Sequence, residues 1–170
     1  GDSFDLGRVD DITTVSIGAL NGAQTLTGFD SGSTLVLTAA TGAGLTIGVN
    51  GALAGATDVM NVSTTTGANT DYDTLTIANV ETLNITASES PANALIREHT
   101  VGLTITQTAA TGGGSGAAQT VNVLGTENLI ISTAVAAGTI SAAGMTVAAA
   151  TNAGLTMDSL YGATTVIPGQ

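Results

Sequence analysis

The chain has 170 residues, of which thirteen are acidic and only two, Arg8 and Arg97, are basic, so that its formal net charge is -11. Nucleic acid and anionic membrane surfaces are therefore poor partners, because both are bound through clustered lysine and arginine side chains. There is no cysteine, which excludes disulfides and thiolate metal sites.

The length suits one domain with a core of its own, and we expect a single domain over residues 1–170. Hydrophobic residues make up 43% of the chain and aromatic residues 2%, so the core must be built from Leu, Ile, Val and Ala. The chain begins GDSFDLGRVDD, with neither Met nor a signal peptide, which is typical of a mature chain or a fragment of a longer secreted protein.

Short segments in which apolar and polar residues alternate recur along the chain, and this pattern predicts half-buried β-strands. Gly, Asn and Asp between the segments mark turns. The predicted strands lie at 14–17, 25–29, 34–38, 44–49, 58–63, 74–77, 82–86, 102–106, 120–123, 128–132, 138–141, 145–148, 154–157 and 164–167.

The chain also repeats itself. TLTIANVETLNIT at 74–86 matches TVNVLGTENLIIS at 120–132, and AATGAGLTIG at 39–48 matches AATNAGLTMD at 149–158. Repeats of short strands with tight turns predict an all-β fold, a parallel β-solenoid (β-helix or β-roll) of short irregular coils, each burying its apolar edge against its neighbours. The alternative is a β-sandwich, which also uses short alternating strands.

The solenoid interpretation assigns a role to each residue of the repeated phrase. Inward-facing positions of the first copy are Leu75, Ile77, Leu83 and Ile85, with Val80 at the corner. The second copy supplies Val121, Val123, Leu129 and Ile131, with Gly125 and Thr126 at the bend. We expect the Thr and Asn residues between them to face solvent and to stack on similar residues one coil away.

Acidic residues near the starts of two predicted strands are candidate calcium ligands. Asn69, Asp71 and Asp73 form an N-x-D-x-D pattern, and Asp58 has a comparable position before the segment VMNV. Calcium prefers carboxylate and carbonyl oxygens, and carboxylates at alternate positions of an extended segment point to one side. The other interpretation is that these residues form ordinary turns. A third acidic group, Asp2, Asp5, Asp10 and Asp11, lies at the N-terminus.

Catalysis is not expected. His99 lies in the charged segment IREHT beside Glu98, with no second His and no Lys in the chain, and we predict that this segment is a surface loop. The glycine run GGGSG at 112–116 is not followed by GK[ST], so a turn is predicted there rather than a phosphate loop. The charge-free stretch 128–157 contains Thr, Ser, Asn and Gly every few residues, which argues against membrane insertion.

The phrase DTLTIANVETLNITA at 73–87, its weaker copy and the lysine-free, Thr-, Ala- and Gly-rich composition resemble the surface-layer (S-layer) proteins of Gram-negative bacteria and related large secreted adhesins. That resemblance implies a β-solenoid that assembles in two dimensions on the cell surface, with calcium supporting folding and lattice contacts. Export in that family commonly uses a type I system. The calcium-binding nonapeptide GGxGxDxUx of such proteins does not occur in this sequence.

We therefore expect a non-enzymatic structural component of a bacterial extracellular assembly, a lattice or fibre that self-associates with calcium as cofactor. Cell-surface polysaccharide is a second expected partner, and the expected location is extracellular, at the bacterial cell surface. The alternative is an adhesin repeat or stalk module that binds glycan or a host surface.

Overall fold

The computed structural model describes residues 1–9, 11–52, 57–89, 96–106, 120–133, 135, 137–146, 154–158 and 165–168. These residues form fourteen strands and one 3-10 turn, Leu6–Arg8. The strands are β1 (Ser3–Asp5), β2 (Thr14–Ile17), β3 (Gln24–Phe29), β4 (Thr34–Leu37), β5 (Leu45–Val49), β6 (Val59–Thr65), β7 (Thr70–Ala78), β8 (Thr82–Ser88), β9 (Glu98–Thr106), β10 (Thr120–Gly125), β11 (Asn128–Ile131), β12 (Thr139–Met145), β13 (Leu155–Met157) and β14 (Thr165–Ile167).

The strands form two sheets of seven, in which each strand pairs with the strand two places further along the chain. The first sheet has the order β1-β3-β5-β7-β9-β11-β13, and the second has the order β14-β12-β10-β8-β6-β4-β2. Every pairing between described strands is parallel. The predicted parallel β-solenoid is confirmed, and the β-sandwich alternative is wrong because sandwich sheets are antiparallel.

One coil of the solenoid is an odd-numbered strand followed by the next even-numbered strand. Parallel pairing brings equivalent side chains of successive coils into register, so the core consists of apolar ladders that run along the solenoid axis. In the first sheet, one ladder is Phe4, Leu26, Ile47, Ile77 and Ile105. In the second sheet, one ladder is Met60, Leu83, Val121, Ile140 and Val166, and another is Val15, Leu35, Val62, Ile85 and Val123.

The inward positions predicted from the repeated phrase are confirmed, since all of them are almost completely buried: Leu75, Ile77, Val80, Leu83, Ile85, Val121, Val123, Leu129 and Ile131. The two copies occupy different sheets, however. The first copy runs from β7 in the first sheet to β8 in the second, whereas the second copy runs from β10 in the second sheet to β11 in the first. The same sequence pattern therefore fits both sheets, because each sheet needs apolar side chains at alternate positions on its inner face.

The bend after β10 requires glycine. Gly125 has a φ of +109°, and a Cβ at this position would lie 2.0 Å from the Ala87 carbonyl oxygen. A side chain would therefore force the backbone of two coils apart, which explains the glycine at the predicted bend.

Polar residues between the buried positions stack as predicted. Asn61, Asn84 and Asn122 share one register position on adjacent coils of the second sheet. Asn84 Nδ2 donates to Asn61 Oδ1 at 2.8 Å, and Asn122 Nδ2 donates to Asn84 Oδ1 at 2.9 Å. This amide ladder satisfies side-chain groups that a repeating coil places next to one another.

Some strand predictions differ from the structure. Strand β1 was not predicted, because SFD is too short to show alternation. Of the strand predicted at 145–148, Met145 is the last residue of β12, and residues 147 and 148 lie outside the described residues. The GGGSG turn predicted at 112–116 also lies outside them. No helix of the described residues is long and apolar enough to cross a membrane.

Candidate functional site

Asp71 and Asp73 lie within β7 and Asn69 immediately precedes it, whereas the sequence predicted a strand that begins only at residue 74. Much of the hydrogen-bonding capacity of Asn69 and Asp71 serves the local backbone. Asp71 Oδ1 accepts a hydrogen bond from the Asp73 N–H at 2.9 Å, and Asp73 has a φ of 61°. The register between β7 and β9 shifts between Asp71 and Thr74. Asn69 Oδ1 accepts from the Glu98 N–H at 3.2 Å. Asp71 and Asn69 thus stabilise a bulge and a neighbouring strand.

Asp58 lies at a different edge of the solenoid. It precedes β6 in the second sheet, and the seven residues of β6, about 20 Å of extended chain, separate it from the segment that leads into β7. Its N–H donates to Glu81 Oε2 at 2.8 Å. The four predicted calcium ligands are therefore not brought into one coordination shell.

The part of the chain that the structure describes contains no group of three or more His, Cys, Asp or Glu side chains that could hold a metal ion. The donor set at β7 therefore does not amount to a built calcium cage, which needs six to eight oxygen ligands. The side chains of Asp71 and Asp73 are both exposed, and calcium binding by them stays a prediction. Asp58 lies apart from this pair and does not contribute to the same site.

The N-terminal acids have separate positions. Asp5 Oδ1 accepts from the Gly7 N–H at 3.0 Å and caps the 3-10 turn. Asp2 borders an apolar cavity, and Asp11 borders a polar cavity with Asp30 and Asn50. Asp10 lies outside the described residues.

His99 is not on a surface loop, and that prediction is wrong. It lies in β9 with 0% of its surface exposed. The Thr64 hydroxyl is 2.7 Å from His99 Nδ1, and the Tyr72 ring centroid is 5.7 Å from the His99 ring centroid at an angle of 54°. Because strand residues alternate between faces, Glu98 faces away from this cluster and forms no acid/base pair with His99.

Burial keeps the cluster uncharged. Desolvation lowers the pKa of His99 from 6.5 to about 4, although the Glu89 carboxylate and a hydrogen bond with Thr64 oppose the shift. Burial likewise raises the pKa of Tyr72 to about 12, against a smaller opposing effect of Thr70, whose hydroxyl donates to the Ala68 carbonyl at 3.0 Å. Tyr72 Oη and His99 Nε2 have no hydrogen-bond partner among the described residues.

The Glu in each copy of the phrase has a structural role that sequence reasoning did not identify. Glu81 Oε2 accepts from the N–H of Asp58, and Glu127 Oε2 accepts from the N–H of Arg97. In both cases, the Glu stands immediately before its strand and binds the equivalent residue of the preceding coil. The repeated Glu therefore anchors the start of one strand on the preceding coil, through a charge-assisted hydrogen bond.

The two ends of the solenoid differ from its middle. We define the head coil as β1 and β2 with the residues between them, and the tail coil as β13 and β14. Among the described residues, the exposed large hydrophobic side chains all lie on these two coils: Phe4, Val9, Val166 and Ile167. Phe4 and Val166 occupy inward ladder positions, yet they are 56% and 42% exposed, since within the described residues each of their strands has a neighbouring strand on one side only.

A cavity of about 430 Å³ lies at the head end of the solenoid and is lined by residues of the first three coils. It is lined almost entirely by apolar side chains, including Phe4, Leu6, Ile17, Leu20 and Leu26. These side chains would form the core of the head coil if another coil lay against it. The ends of the solenoid, rather than a cleft, are thus the surfaces best suited to an interaction.

No protein family, no curated protein and no solved structure matches this chain.

Proposed function

We propose that this chain is a structural component of a bacterial extracellular assembly, an S-layer-like lattice or fibre, in which copies associate through the ends of their solenoids. The observation that carries the proposal is the exposure of Phe4 and Val166 at inward ladder positions. An open β-solenoid leaves strand edges and apolar ladders uncovered at its ends, and such ends need a cap or a neighbouring subunit.

The resemblance to surface-layer proteins supports the extracellular location, and it rests on the repeated V-E-T-L-N-I phrase. The structure gives that phrase a reason: its apolar residues fill the core and Glu81 anchors one coil on another. The phrase is thus suited to a protein built from many similar coils.

A structural rather than catalytic role is also supported by the location of His99 and Tyr72. Both side chains are buried and uncharged at neutral pH, and His99 is the only histidine of the chain. A general acid or base has to reach its substrate.

We propose that calcium binds at the exposed carboxylates of Asp71 and Asp73 and supports the assembly. The chain carries thirteen acids against two basic residues, so that copies brought together repel one another. A divalent cation at exposed carboxylates would reduce that repulsion, and cell-surface polysaccharide would serve as the partner that attaches the assembly to the cell.

The second candidate function is an adhesin repeat or stalk module. The observation that favours it is a row of hydroxyl groups along the outer face of the first sheet, where the side chains at one register position are Ser3, Thr25, Thr46, Thr76 and Thr104. A polar face of this kind suits hydrogen bonding to a glycan.

The test measures particle size and thermal midpoint of the chain over a range of concentrations, with calcium and then with excess chelator. We expect concentration-dependent assembly that calcium promotes, and regular particles in electron micrographs. The Asp71→Asn, Asp73→Asn double variant should lose the calcium effect, whereas Asp30→Asn, as a matched control, should retain it.

A chain that stays monomeric at every concentration, with or without calcium, would contradict the structural-assembly proposal. Binding of the monomer to a bacterial or host glycan array would then favour the adhesin module. Assembly to the same extent with and without calcium would contradict only the proposed calcium binding by Asp71 and Asp73.

A further inference from the structure

The chain contains two Asn–Gly pairs in nearly identical sequences, LNGA at 20–23 and VNGA at 49–52. Asn21, Gly22, Asn50 and Gly51 are all exposed to solvent. An Asn–Gly pair is open to spontaneous deamidation, because glycine has no side chain to hinder the approach of its backbone nitrogen to the asparagine side chain. The two pairs have the same local chemistry, so a difference in their reactivity has to come from the fold.

Deamidation needs only water as a co-reactant. The backbone nitrogen of the glycine attacks Cγ of the asparagine, a bond forms between them, and the bond from Cγ to Nδ2 breaks. Nδ2 leaves as ammonia, with the proton of the attacking N–H, and a cyclic succinimide remains. Water then adds to one of the succinimide carbonyl carbons. Opening at Cγ gives aspartate, and opening at the backbone carbon gives isoaspartate, in which the main chain runs through the side-chain carbonyl.

The fold holds the Asn50 side chain in place. Asn50 Nδ2 donates to the Gly28 carbonyl at 3.2 Å and to Asp30 Oδ1 at 3.3 Å. The Asn50 N–H donates to the Phe29 carbonyl at 2.7 Å. Because the reaction expels Nδ2, both side-chain hydrogen bonds are lost on the way to the succinimide. Their free energy therefore adds to the barrier at this asparagine.

The fold also disfavours the product at Asn50. This side chain lines a polar cavity together with Asp11 and Asp30. Deamidation would replace the Nδ2 donor by an oxygen, so that the hydrogen bond to Asp30 would become a contact between two carboxylates. Like charges in such proximity repel.

The Asn21 side chain has no such restraint, since it makes no hydrogen bond with any described residue. The space beside the next residue is also open, because a Cβ at Gly22 would meet no atom within 4 Å. Cγ of Asn21 can therefore turn towards the Gly22 nitrogen without the loss of a hydrogen bond.

The segment around Asn21 can accommodate the product. The Leu20 N–H donates to the Thr41 carbonyl at 2.8 Å, and the Gln24 N–H donates to the Gly44 carbonyl at 3.0 Å. These backbone bonds fix the chain on both sides of residues 21–23. The additional main-chain atom of isoaspartate would lie between the two fixed points, outside both sheets.

We propose that Asn21–Gly22 is a site of spontaneous deamidation in the folded chain, and that the fold protects Asn50–Gly51 from the same reaction. The modification adds one carboxylate to the exposed segment between β2 and β3. The inference is independent of the proposed self-association, since it concerns a single folded chain.

The test compares the two asparagines within one sample. The chain is incubated in mildly alkaline buffer, folded in one series and unfolded in concentrated urea in the other, and mass spectrometry of proteolytic fragments follows each site. In the folded chain we expect Asn21 to react about tenfold faster than Asn50, which corresponds to the net contribution of two hydrogen bonds. In urea the two rates should converge, because the hydrogen bonds of Asn50 are then absent.

Two sets of variants sharpen the comparison. Asp30→Ala removes one acceptor of the Asn50 side chain, so it should accelerate the reaction at Asn50 and leave the rate at Asn21 unchanged. Asn50→Asp should lower the thermal midpoint more than Asn21→Asp, the matched control, because only the former places a carboxylate against Asp30.

Equal rates in the folded chain, or a faster reaction at Asn50, would overturn the proposal. A difference that persists unchanged in urea would overturn it as well, because the flanking sequence rather than the fold would then be its cause. The same conclusion follows if neither asparagine reacts in the folded chain within the time in which both react in urea.

Discussion

The middle and the end coils of this solenoid use the same kinds of residue at the same ladder positions, yet their surroundings are opposite. Ile140 is fully buried, whereas Val166, its neighbour in the same ladder, is 42% exposed. The difference teaches that burial here is supplied by the adjacent coils and not by the coil itself. Stability should therefore depend on position along the axis more than on residue type.

The largest loss in the free energy of unfolding is expected for substitutions in the core ladders. Ile85 lies between Val62 and Val123 with no exposed surface, so Ile85→Ala should reduce the free energy of unfolding by about 2–5 kcal/mol. Val166→Ala at the tail coil should cost less than about 1 kcal/mol. Urea unfolding at a concentration at which the chain is monomeric measures both values. Equal losses would show that the tail coil is as well covered as the middle.

Lowering the pH should destabilise the middle coils, because the unfolded chain binds a proton at His99 more readily than the folded chain does. The pKa of His99 is about 4 in the folded chain and 6.5 in the unfolded chain. The stabilisation is therefore fully present above pH 6.5 and is lost progressively as the pH falls towards 4, by up to about 3 kcal/mol. Unfolding free energy measured by urea titration across this pH range tests the prediction.

The chain also contains thirteen acidic residues, so the pH experiment needs a variant that removes only the histidine. His99→Asn keeps a polar group near Thr64 Oγ1 and does not titrate. The part of the pH dependence between 6.5 and 4 that is due to His99 should disappear in this variant. An unchanged pH profile would mean that His99 is hydrated in solution.

The two glutamates of the repeated phrase should show a smaller effect, graded by burial. Glu127 is 4% exposed and binds the Arg97 N–H, so Glu127→Ala should cost about 1–3 kcal/mol, whereas Glu127→Gln retains an acceptor and should cost less. Glu81→Ala should cost less than Glu127→Ala, because Glu81 is only partly buried and water can replace it. Thermal unfolding of the three variants ranks them. The reverse order would contradict the role of burial.

The smallest effect is expected on the outer face of the second sheet. Asn84 is bonded to both Asn61 and Asn122, whereas Asn122 is bonded to Asn84 at the end of the row. Asn84→Ala should cost about 1–2 kcal/mol and Asn122→Ala about half of that, since each net hydrogen bond contributes roughly 1 kcal/mol. Chemical denaturation measures the ratio. Equal costs would show that the amides act independently of their neighbours.

Much of the fold could be predicted because its rules are local. Alternation in TLNIT fixes which side chains of β8 face inward, and Leu83 and Ile85 are buried as that pattern requires. The glycine in TVNVLGTE indicates a bend, and Gly125 makes one. The position of a strand and the face that it buries depend on residues two or three positions apart, so they can be predicted from the sequence alone.

The candidate site was less predictable because it depends on residues far apart in the chain. IREHT has the composition of a surface loop, but β9 and β6 belong to different sheets that face each other across the core, which brings His99 to Thr64, 35 residues earlier in the chain. Likewise, the N-x-D-x-D spacing of Asn69 to Asp73 suggested converging ligands, whereas Asp71 and Asn69 bind backbone N–H groups of a bulge and of β9.

The sequence by itself determined the local properties of this protein: short alternating strands, an aliphatic core, an acidic surface and a phrase used in both sheets. These properties depend on side-chain type and on the two-residue period of a strand. Only the tertiary structure decided which coil covers which. That choice buries His99 and directs Glu81 and Glu127 to the preceding coil. It also leaves Phe4 and Val166 exposed, because each of their strands has a neighbour on one side only among the described residues.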